Sequence, residues 1–358
     1  MLFTALKTSS LQLSNRVVMS PLTRSRASQD NIPTALMAEY YSQRATAGLI
    51  ITEGTSPSPN GLGYPRIPGL FNAAQVAGWK QVTDAVHSKG GKIVVQLMHT
   101  GRVSHLANLP AGAEVLGPSA DQCPGEMFTD SQGMQPHSTP RAMTQADITA
   151  AVGEYVQSAK LAIDAGFDGI ELHAANGYLI EQFLNANVNQ RTDCYGGAIE
   201  GRNRFALEVA RATIAAIGAD KVGIRLSPHG VLGGTGTFPE VDKQYLALTN
   251  ALSSLELAYI HVLDHSALGT PPVPEATKKA LRAAFKGTFI LAGGFDHASA
   301  EAALAEGSAD LIAFGRPFIA NPDWVARIRN EAAVNDLDMS TFYTPGPKGY
   351  TDYPSLGA

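Results

Sequence analysis

Eight short apolar runs, separated by longer segments of helical character, constrain the fold of this chain more than any other feature. Each run is mostly apolar and does not alternate with polar residues, as expected for parallel strands that are buried on both faces. The runs cover residues 16–20, 48–54, 92–98, 168–173, 222–227, 258–264, 289–294 and 310–315. The segments that favour helices include 73–88, 145–165, 199–217 and 298–306. Eight strand–helix repeats predict an α/β protein with a (β/α)8 TIM barrel.

The chain is longer than a bare barrel requires, since it has 358 residues and a typical barrel has about 250. Residues 100–143 are rich in glycine and proline, which interrupt helices. This segment is therefore predicted to form a long excursion after the third strand. Because no linker of biased composition divides the sequence, we expect residues 1–358 to form a single domain.

Composition excludes several classes of partner. The formal net charge is −5 and no long basic run is present, so neither nucleic acid nor an anionic membrane surface is an expected partner. The first residues lack the pattern of a signal peptide, and no stretch approaches the ~18 apolar residues of a membrane span. A cytoplasmic protein is predicted. Cys123 and Cys194 lie far apart, so neither a disulfide framework nor a metal site is expected.

Polar residues and glycines follow the predicted strands at all eight of their carboxyl ends. In a barrel of this kind the active site lies at those ends, whatever the chemistry. They carry, in chain order, Pro21, Leu22 and Thr23; Gly54; Gln96 and His99; His173 and Asn176; Arg225; Asp264; Gly293 and Gly294; and Gly315 and Arg316. The sequence therefore predicts one site formed by all eight strands.

The last two strand ends have the composition of a phosphate site. At Gly293, Gly294 and Gly315, backbone N–H groups can approach an anion closely, a helix N-terminus adds its dipole, and Arg316 adds charge. The alternative is that the glycines are ordinary turn residues and that Arg316 is a solvated surface charge.

His173, Asn176 and Tyr178 interrupt the return to apolar sequence after the fourth run. The first two are three residues apart, so in a helical turn they would share one face and could donate two hydrogen bonds to a single oxygen. Tyr178 would point away from them, as a proton donor on another side of a substrate should. The alternatives are a core histidine beside a turn-forming asparagine, and an ordinary amphipathic tyrosine.

Arg225 lies inside an apolar strand, "GIRLS". An unpaired charge there costs several kcal/mol, so it must meet an anion or a carboxylate. A bound anionic ligand and a structural ion pair are equally compatible with the sequence.

Taken together, these residues resemble the Old Yellow Enzyme family of flavin-dependent ene-reductases, in the classical branch that includes N-ethylmaleimide reductase. The resemblance covers essentially the whole chain. It is carried most specifically by "HAANGYLIEQFL" with "NQRTDCYGG", and also by "GLIITEGT", "VQLMHTGR", "ILAGGF" and "FGRPFIANPDW".

The resemblance implies a non-covalent FMN at the mouth of the barrel, with NADPH or NADH as the electron donor. Pro21, Leu22 and Thr23 match the strand end beside the isoalloxazine. Gly54 and Gln96 match ring contacts, and Arg225 matches the cation near N1. The residues that match the phosphate site are Gly293, Gly294, Gly315 and Arg316.

The resemblance also implies reduction of the activated C=C bond of α,β-unsaturated aldehydes, ketones, imides and nitroalkenes. His173 and Asn176 match the pair that holds the substrate's activating oxygen, and Tyr178 matches the proton donor. Tyr64, Met98 and Tyr343 line the implied substrate cavity.

Two residues depart from common family patterns. Many relatives have an aromatic residue at the position of Met98, and several bacterial relatives have His/His in place of His173 and Asn176.

Three other protein classes are alternatives to this one. A Schiff-base aldolase or a phosphate-sugar isomerase could use the same phosphate site, but an aldolase of this kind needs a lysine at a strand end, and none is present. A metal-dependent barrel hydrolase needs an early His-x-His, which "VVMSPL" lacks. A non-catalytic flavin-binding protein does not need His173, Asn176 and Tyr178 together.

Overall fold

A computed structural model describes residues 1–357 and shows eight parallel strands that close into a barrel. Neighbours in the barrel follow chain order, and the last strand pairs with the first. The strands are β1 (Val17–Met19), β2 (Leu49–Thr55), β3 (Ile93–Leu97), β4 (Ile170–Ala174), β5 (Val222–Leu226), β6 (Tyr259–Leu263), β7 (Thr288–Ala292) and β8 (Leu311–Phe314). Each coincides with one of the eight predicted runs, so the predicted barrel is confirmed.

Helices surround the barrel. Within residues 1–357 they are α1 (Ala35–Gln43), α2 (Ala73–His87), α3 (Gln145–Asp164), α4 (Leu179–Leu184), α5 (Ile199–Ile217), α6 (Val241–Ser254), α7 (Glu275–Ala284), α8 (His297–Ala305), α9 (Arg316–Ala320) and α10 (Trp324–Asn330). The longest of them, α3, begins with a capping box between Thr144 and Asp147. It ends before Gly166, whose φ of 88° is a left-handed conformation that glycine adopts without strain.

Residues 98–144 connect β3 to α3 and contain short strands outside the barrel. Leu116–Gly117 pairs in parallel with Arg141–Ala142. Glu126–Thr129 and Gly133–Pro136 form an antiparallel hairpin. The buried guanidinium of Arg102 ties this connection to the loop after β5, because it pairs with Asp121 and donates to the carbonyl oxygens of Gly233 and Gly234.

The register of the strands sorts the barrel interior into layers. In one layer, Gln96 of β3 lies opposite Glu171 of β4, which lies opposite Gly223 of β5, and Gly223 lies opposite Tyr259 of β6. Gly223 makes room for the tyrosine: a Cβ atom there would lie 2.2 Å from Cζ of the Tyr259 ring. This layer forms the floor below the functional strand ends.

We predict that Gly223→Ala destabilises the protein by about 1–3 kcal/mol, because the buried Tyr259 ring must shift to admit a methyl group. Urea unfolding followed by circular dichroism measures the change. The matched control is Gly153→Ala on the exposed face of α3, where no heavy atom lies within 4 Å of the added Cβ. This control should stabilise the helix by about 0.5–1 kcal/mol. Equal midpoints for Gly223→Ala and the unsubstituted protein would contradict the layered packing.

Candidate active site

The carboxyl ends of the barrel strands surround two adjoining cavities of about 430 and 340 Å³. A third cavity, of about 810 Å³, opens outward from them under the hairpin 126–136. With one exception, every residue that the sequence analysis assigned to the site lines at least one of the three. The exception is His99, which is buried and accepts a hydrogen bond from Gly101 N at 3.0 Å. The first cavity is lined by Pro21, Leu22, Asn176, Arg225, Gly293, Gly294, Gly315 and Arg316. The second adds Thr23, Gly54, Gln96, Met98, His173, Tyr178 and Tyr343, and the third adds Tyr64.

The first cavity has a backbone cradle at the ends of β7 and β8. Gly293 and Gly294 have φ values of 150° and 75°, which residues with side chains rarely adopt. A Cβ on Gly315 would come no nearer to its surroundings than 3.6 Å, to Leu22, so the backbone there faces open space. The side chain of Arg316 is exposed and makes no hydrogen bond or ion pair within residues 1–357. The cradle therefore offers backbone groups and one available cation.

Two helices begin beside this cradle, and their first turns differ. The helix after β7, α8, is capped by Asp296, whose carboxylate accepts a hydrogen bond from Ser299 N at 2.8 Å. Its first amides thus already have an anionic partner. The helix after β8, α9, begins at the cradle itself, with Gly315 as its N-cap residue and Arg316 as its first residue. The prediction that a helix N-terminus assists the glycine backbone and Arg316 therefore concerns α9 and stays a prediction.

Arg225 lies between the first two cavities with its guanidinium unpaired. It is 5% exposed, its Nε has no hydrogen-bond partner, and within residues 1–357 no carboxylate lies within ion-pair distance. The structural ion pair that the sequence left open is therefore not formed. Burial lowers the pKa of this guanidinium, while the charge of nearby Glu171 raises it. A buried cation with free donors facing a cavity is suited to bind an anionic group.

Glu171 is the acid whose charge acts on Arg225. Both of its carboxylate oxygens already have hydrogen-bond partners. One accepts a hydrogen bond from Gln96 Nε2 at 2.8 Å, and the other lies 2.9 Å from His261 Nδ1. Sequence reasoning missed this network. A histidine within the apolar run 258–264 was the available signal for it.

His173 and Asn176 do converge, although not in a helical turn as expected. His173 lies in β4, and Asn176 follows in a left-handed conformation with a φ of 60°. Asn176 Nδ2 lies 3.4 Å from His173 Nε2. Because Ala175 N donates to His173 Nδ1 at 3.3 Å, the ring proton belongs on Nε2. Burial, followed by the charge of Arg225, holds the pKa of His173 well below its usual range, so the ring is neutral.

The other end of the Asn176 amide contacts a residue that sequence reasoning did not assign. Asn176 Oδ1 lies 2.7 Å from Nε2 of His265, a buried histidine in the loop after β6. The backbone of Asn176 is held as well, because its N–H donates to Ser227 Oγ at 3.0 Å.

Tyr178 is the N-cap residue of α4 and borders the second and third cavities. Its hydroxyl is hydrogen-bonded to that of Tyr64 at 3.1 Å, and its ring packs edge-on against His173 with centroids 4.9 Å apart. Burial raises the pKa of Tyr178 to about 12, so the phenol keeps its proton at neutral pH.

Gly54 and Met98 form one packing unit at the wall of the second cavity. A Cβ on Gly54 would lie 2.4 Å from Met98 Sδ, so the glycine makes room for the methionine. Met98 is 1% exposed and packs with Leu62 and Ile67, with Tyr64 and Tyr178 against the same cluster. The substrate side of the cavity therefore has a flexible thioether in its wall.

No helix within residues 1–357 has the length and apolar character needed to cross a membrane. The same residues contain no group of three or more His, Cys, Asp or Glu side chains arranged to hold a metal ion.

The comparisons with known proteins agree on one family. The profile of the NADH:flavin oxidoreductase / NADH oxidase family matches residues 1–335. Chanoclavine-I aldehyde reductase of Penicillium roqueforti is 43% identical over 365 residues, covering 98% of this chain and 95% of the relative. The structure of morphinone reductase is similar with a TM-score of 0.95 at 46% identity, covering 99% of this chain and 96% of that one. An Old Yellow Enzyme homologue of Zymomonas mobilis has a TM-score of 0.95 at 40% identity, covering 99% of both chains. This chain therefore belongs to the Old Yellow Enzyme family of FMN-dependent NADH:flavin oxidoreductases.

Proposed function

We propose that this protein is an ene-reductase that uses NADPH or NADH to reduce the activated C=C bond of α,β-unsaturated aldehydes, ketones, imides and nitroalkenes. The observation that carries the proposal is the unpaired, buried guanidinium of Arg225 beside the converging donors of His173 and Asn176. Arg225 is a cation suited to an anionic cofactor, and His173 and Asn176 are two hydrogen-bond donors suited to one substrate oxygen. Non-covalently bound FMN supplies the hydride chemistry, which no side chain of the protein can provide. We further propose that residues 1–358 form one FMN-binding domain that acts in the cytoplasm.

In this proposal the two inner cavities together hold FMN. The phosphate lies in the cradle after β7 and β8, where it is held by Gly293, Gly294, Gly315 and Arg316. The residues that surround the isoalloxazine are Pro21, Leu22, Thr23, Gly54 and Gln96. Arg225 would donate to the part of the isoalloxazine that becomes negative on reduction, and such a contact would offset the cost of burying its charge.

His173 and Asn176 activate the substrate in this proposal. Neutral His173 donates through Nε2 and Asn176 through Nδ2, and the 3.4 Å between these nitrogens lets both reach one oxygen. Two fixed donors aimed at one oxygen stabilise the charge that develops there. Tyr178, which keeps its proton because burial raises its pKa to about 12, donates that proton to Cα.

The third cavity is the substrate entrance in this proposal. It is about 810 Å³ in volume, and Tyr64, Tyr178 and Tyr343 lie in its wall. The names of the similar proteins denote reductases of chanoclavine-I aldehyde and of morphinone. We propose that Tyr64, Met98 and Tyr343 provide the apolar contacts for a carbonyl substrate of that general kind.

The purified protein should be yellow and should release FMN on denaturation. Arg316→Ala should weaken FMN binding by about 1.5–3 kcal/mol, the loss expected for a hydrogen bond to a charged group. Titration of apoprotein with FMN, followed by flavin fluorescence, measures the change. Arg211→Ala on the exposed surface of α5 is the control and should bind FMN as the unsubstituted protein does. A colourless protein that takes up no FMN from solution would overturn the proposed function.

Tyr178→Phe separates the two halves of the reaction. The variant should keep FMN and leave flavin reduction by NADPH nearly intact, because the ring and its packing against His173 remain. Reoxidation of the flavin by cyclohexenone should slow by roughly 10²–10⁴, the usual effect of losing a positioned general acid. Stopped-flow absorbance of each half-reaction measures both rates.

A nitroalkene provides the internal control for this variant. Hydride addition to it yields a nitronate, which is stable enough to leave before protonation, so reoxidation by a nitroalkene should stay rapid. Equal slowing with cyclohexenone and with the nitroalkene would mean that Tyr178 positions ligands and does not donate the proton.

A further inference from the structure

We infer that His265 is a positioning residue for substrate activation: it holds the side-chain amide of Asn176 in the orientation that presents Nδ2 to the substrate. The inference rests on the proposed function, in that Asn176 is taken as a donor to the substrate oxygen. His265 acts through Asn176 and has no direct role in the reaction.

The amide of Asn176 has two possible orientations of nearly equal shape. One end accepts hydrogen bonds and the other donates them, so its neighbours decide which way it points. Oδ1 lies 2.7 Å from His265 Nε2, and Nδ2 lies 3.4 Å from His173 Nε2. The short contact is a hydrogen bond if His265 carries its proton on Nε2.

The opposite orientation would cancel the activation. His173 Nε2 carries the ring proton, because Nδ1 accepts from Ala175 N. If the amide turned over, Oδ1 would face His173 and accept that proton's hydrogen bond. The two groups would then satisfy each other, and neither would be directed at a substrate. A donor at His265 Nε2 prevents this, since it pairs only with Oδ1.

The surroundings hold His265 and the Asn176 backbone in place, so that the amide rotation is the remaining freedom. Asn176 N donates to Ser227 Oγ at 3.0 Å. The loop that carries His265 is fixed by Asp264, whose carboxylate accepts from Ser266 N at 2.9 Å and from Val273 N at 3.2 Å. Burial lowers the pKa of His265 to about 4, so at neutral pH the ring has a single N–H. The position of that proton therefore decides the orientation of the amide.

The tautomer of His265 can be measured without any turnover. Long-range ¹H–¹⁵N spectra of the flavin-loaded protein, labelled with ¹⁵N-histidine, distinguish the two neutral tautomers of each of its nine histidines. The signals absent from His265→Gln identify this residue. We expect the Nε2–H tautomer, with an Nε2 shift that moves in Asn176→Ala. An Nδ1–H tautomer would overturn the inference, since that ring cannot donate to Asn176 Oδ1.

A double-mutant cycle tests whether His265 acts through Asn176. His265→Phe keeps an aromatic ring but removes the donor, and should lower the second-order rate of flavin reoxidation by cyclohexenone about tenfold, the effect of one lost hydrogen bond. In an Asn176→Ala background the same change should have less than about a twofold effect, because the partner is gone. His265→Gln has a side-chain N–H that can donate to Oδ1, and should stay within about threefold of the unsubstituted protein.

The controls separate this inference from the proposed function. FMN affinity and flavin reduction by NADPH are measured in every variant, so damage to the cofactor site is seen directly. If His265→Phe does not fold, the inference is still tested by the tautomer spectra and by the reoxidation rate of His265→Gln. An unreduced tenfold loss in the Asn176→Ala background would overturn the inference, as would a glutamine variant as slow as the phenylalanine variant. Absence of any enone reduction by the unsubstituted protein would instead overturn the proposed function.

Discussion

The register of three neighbouring parallel strands determines what this site can do. His173 of β4 lies opposite Arg225 of β5, which lies opposite His261 of β6. Because paired residues of adjacent strands face the same side of a sheet, these three side chains form one row across the inner face of the barrel. A shift of one residue in β5 would turn Arg225 outward, towards the helices. The site therefore depends on the strand pairing as much as on the side chains themselves.

The charge of this row comes from Arg225, which has no ion-pair partner in the described part of the chain. Glu171 could have neutralised Arg225, but Gln96 Nε2 and His261 Nδ1 occupy its two oxygens. An unpaired charge in a protein interior costs several kcal/mol. Arg225 carries that cost at a position where a bound anionic group would remove it. Neutral His173 complements this arrangement, since a second cation beside Arg225 would be disfavoured.

The sequence predicted the barrel and the position of the site for the same reason. Parallel strands all end at one face, so apolar runs followed by polar residues imply both the fold and the convergence of those residues. Contacts between loops could not be predicted in this way. His265 and Asn176 are 89 residues apart in the sequence. The distance between their side chains depends on how the loop after β6 folds back. For His173 and Asn176 the convergence was correct but the reason was wrong, because a left-handed residue and not a helical turn brings them together.

The turn that carries both Asn176 and Tyr178 is supported by a buried carboxylate, that of Glu181 in α4. Its carboxylate accepts hydrogen bonds from Gly177 N at 2.5 Å, from Ser227 Oγ at 2.8 Å and from Tyr245 OH at 3.0 Å. Ser227 Oγ in turn accepts from Asn176 N at 3.0 Å, so one carboxylate links the turn to the end of β5 and to α6. Burial raises the pKa of Glu181 to about 7, while these three donors lower it. An acid so placed stabilises the turn only because its donors oppose the penalty of burial. The proposed proton donor and oxygen-binding amide therefore share a support that does not touch the substrate.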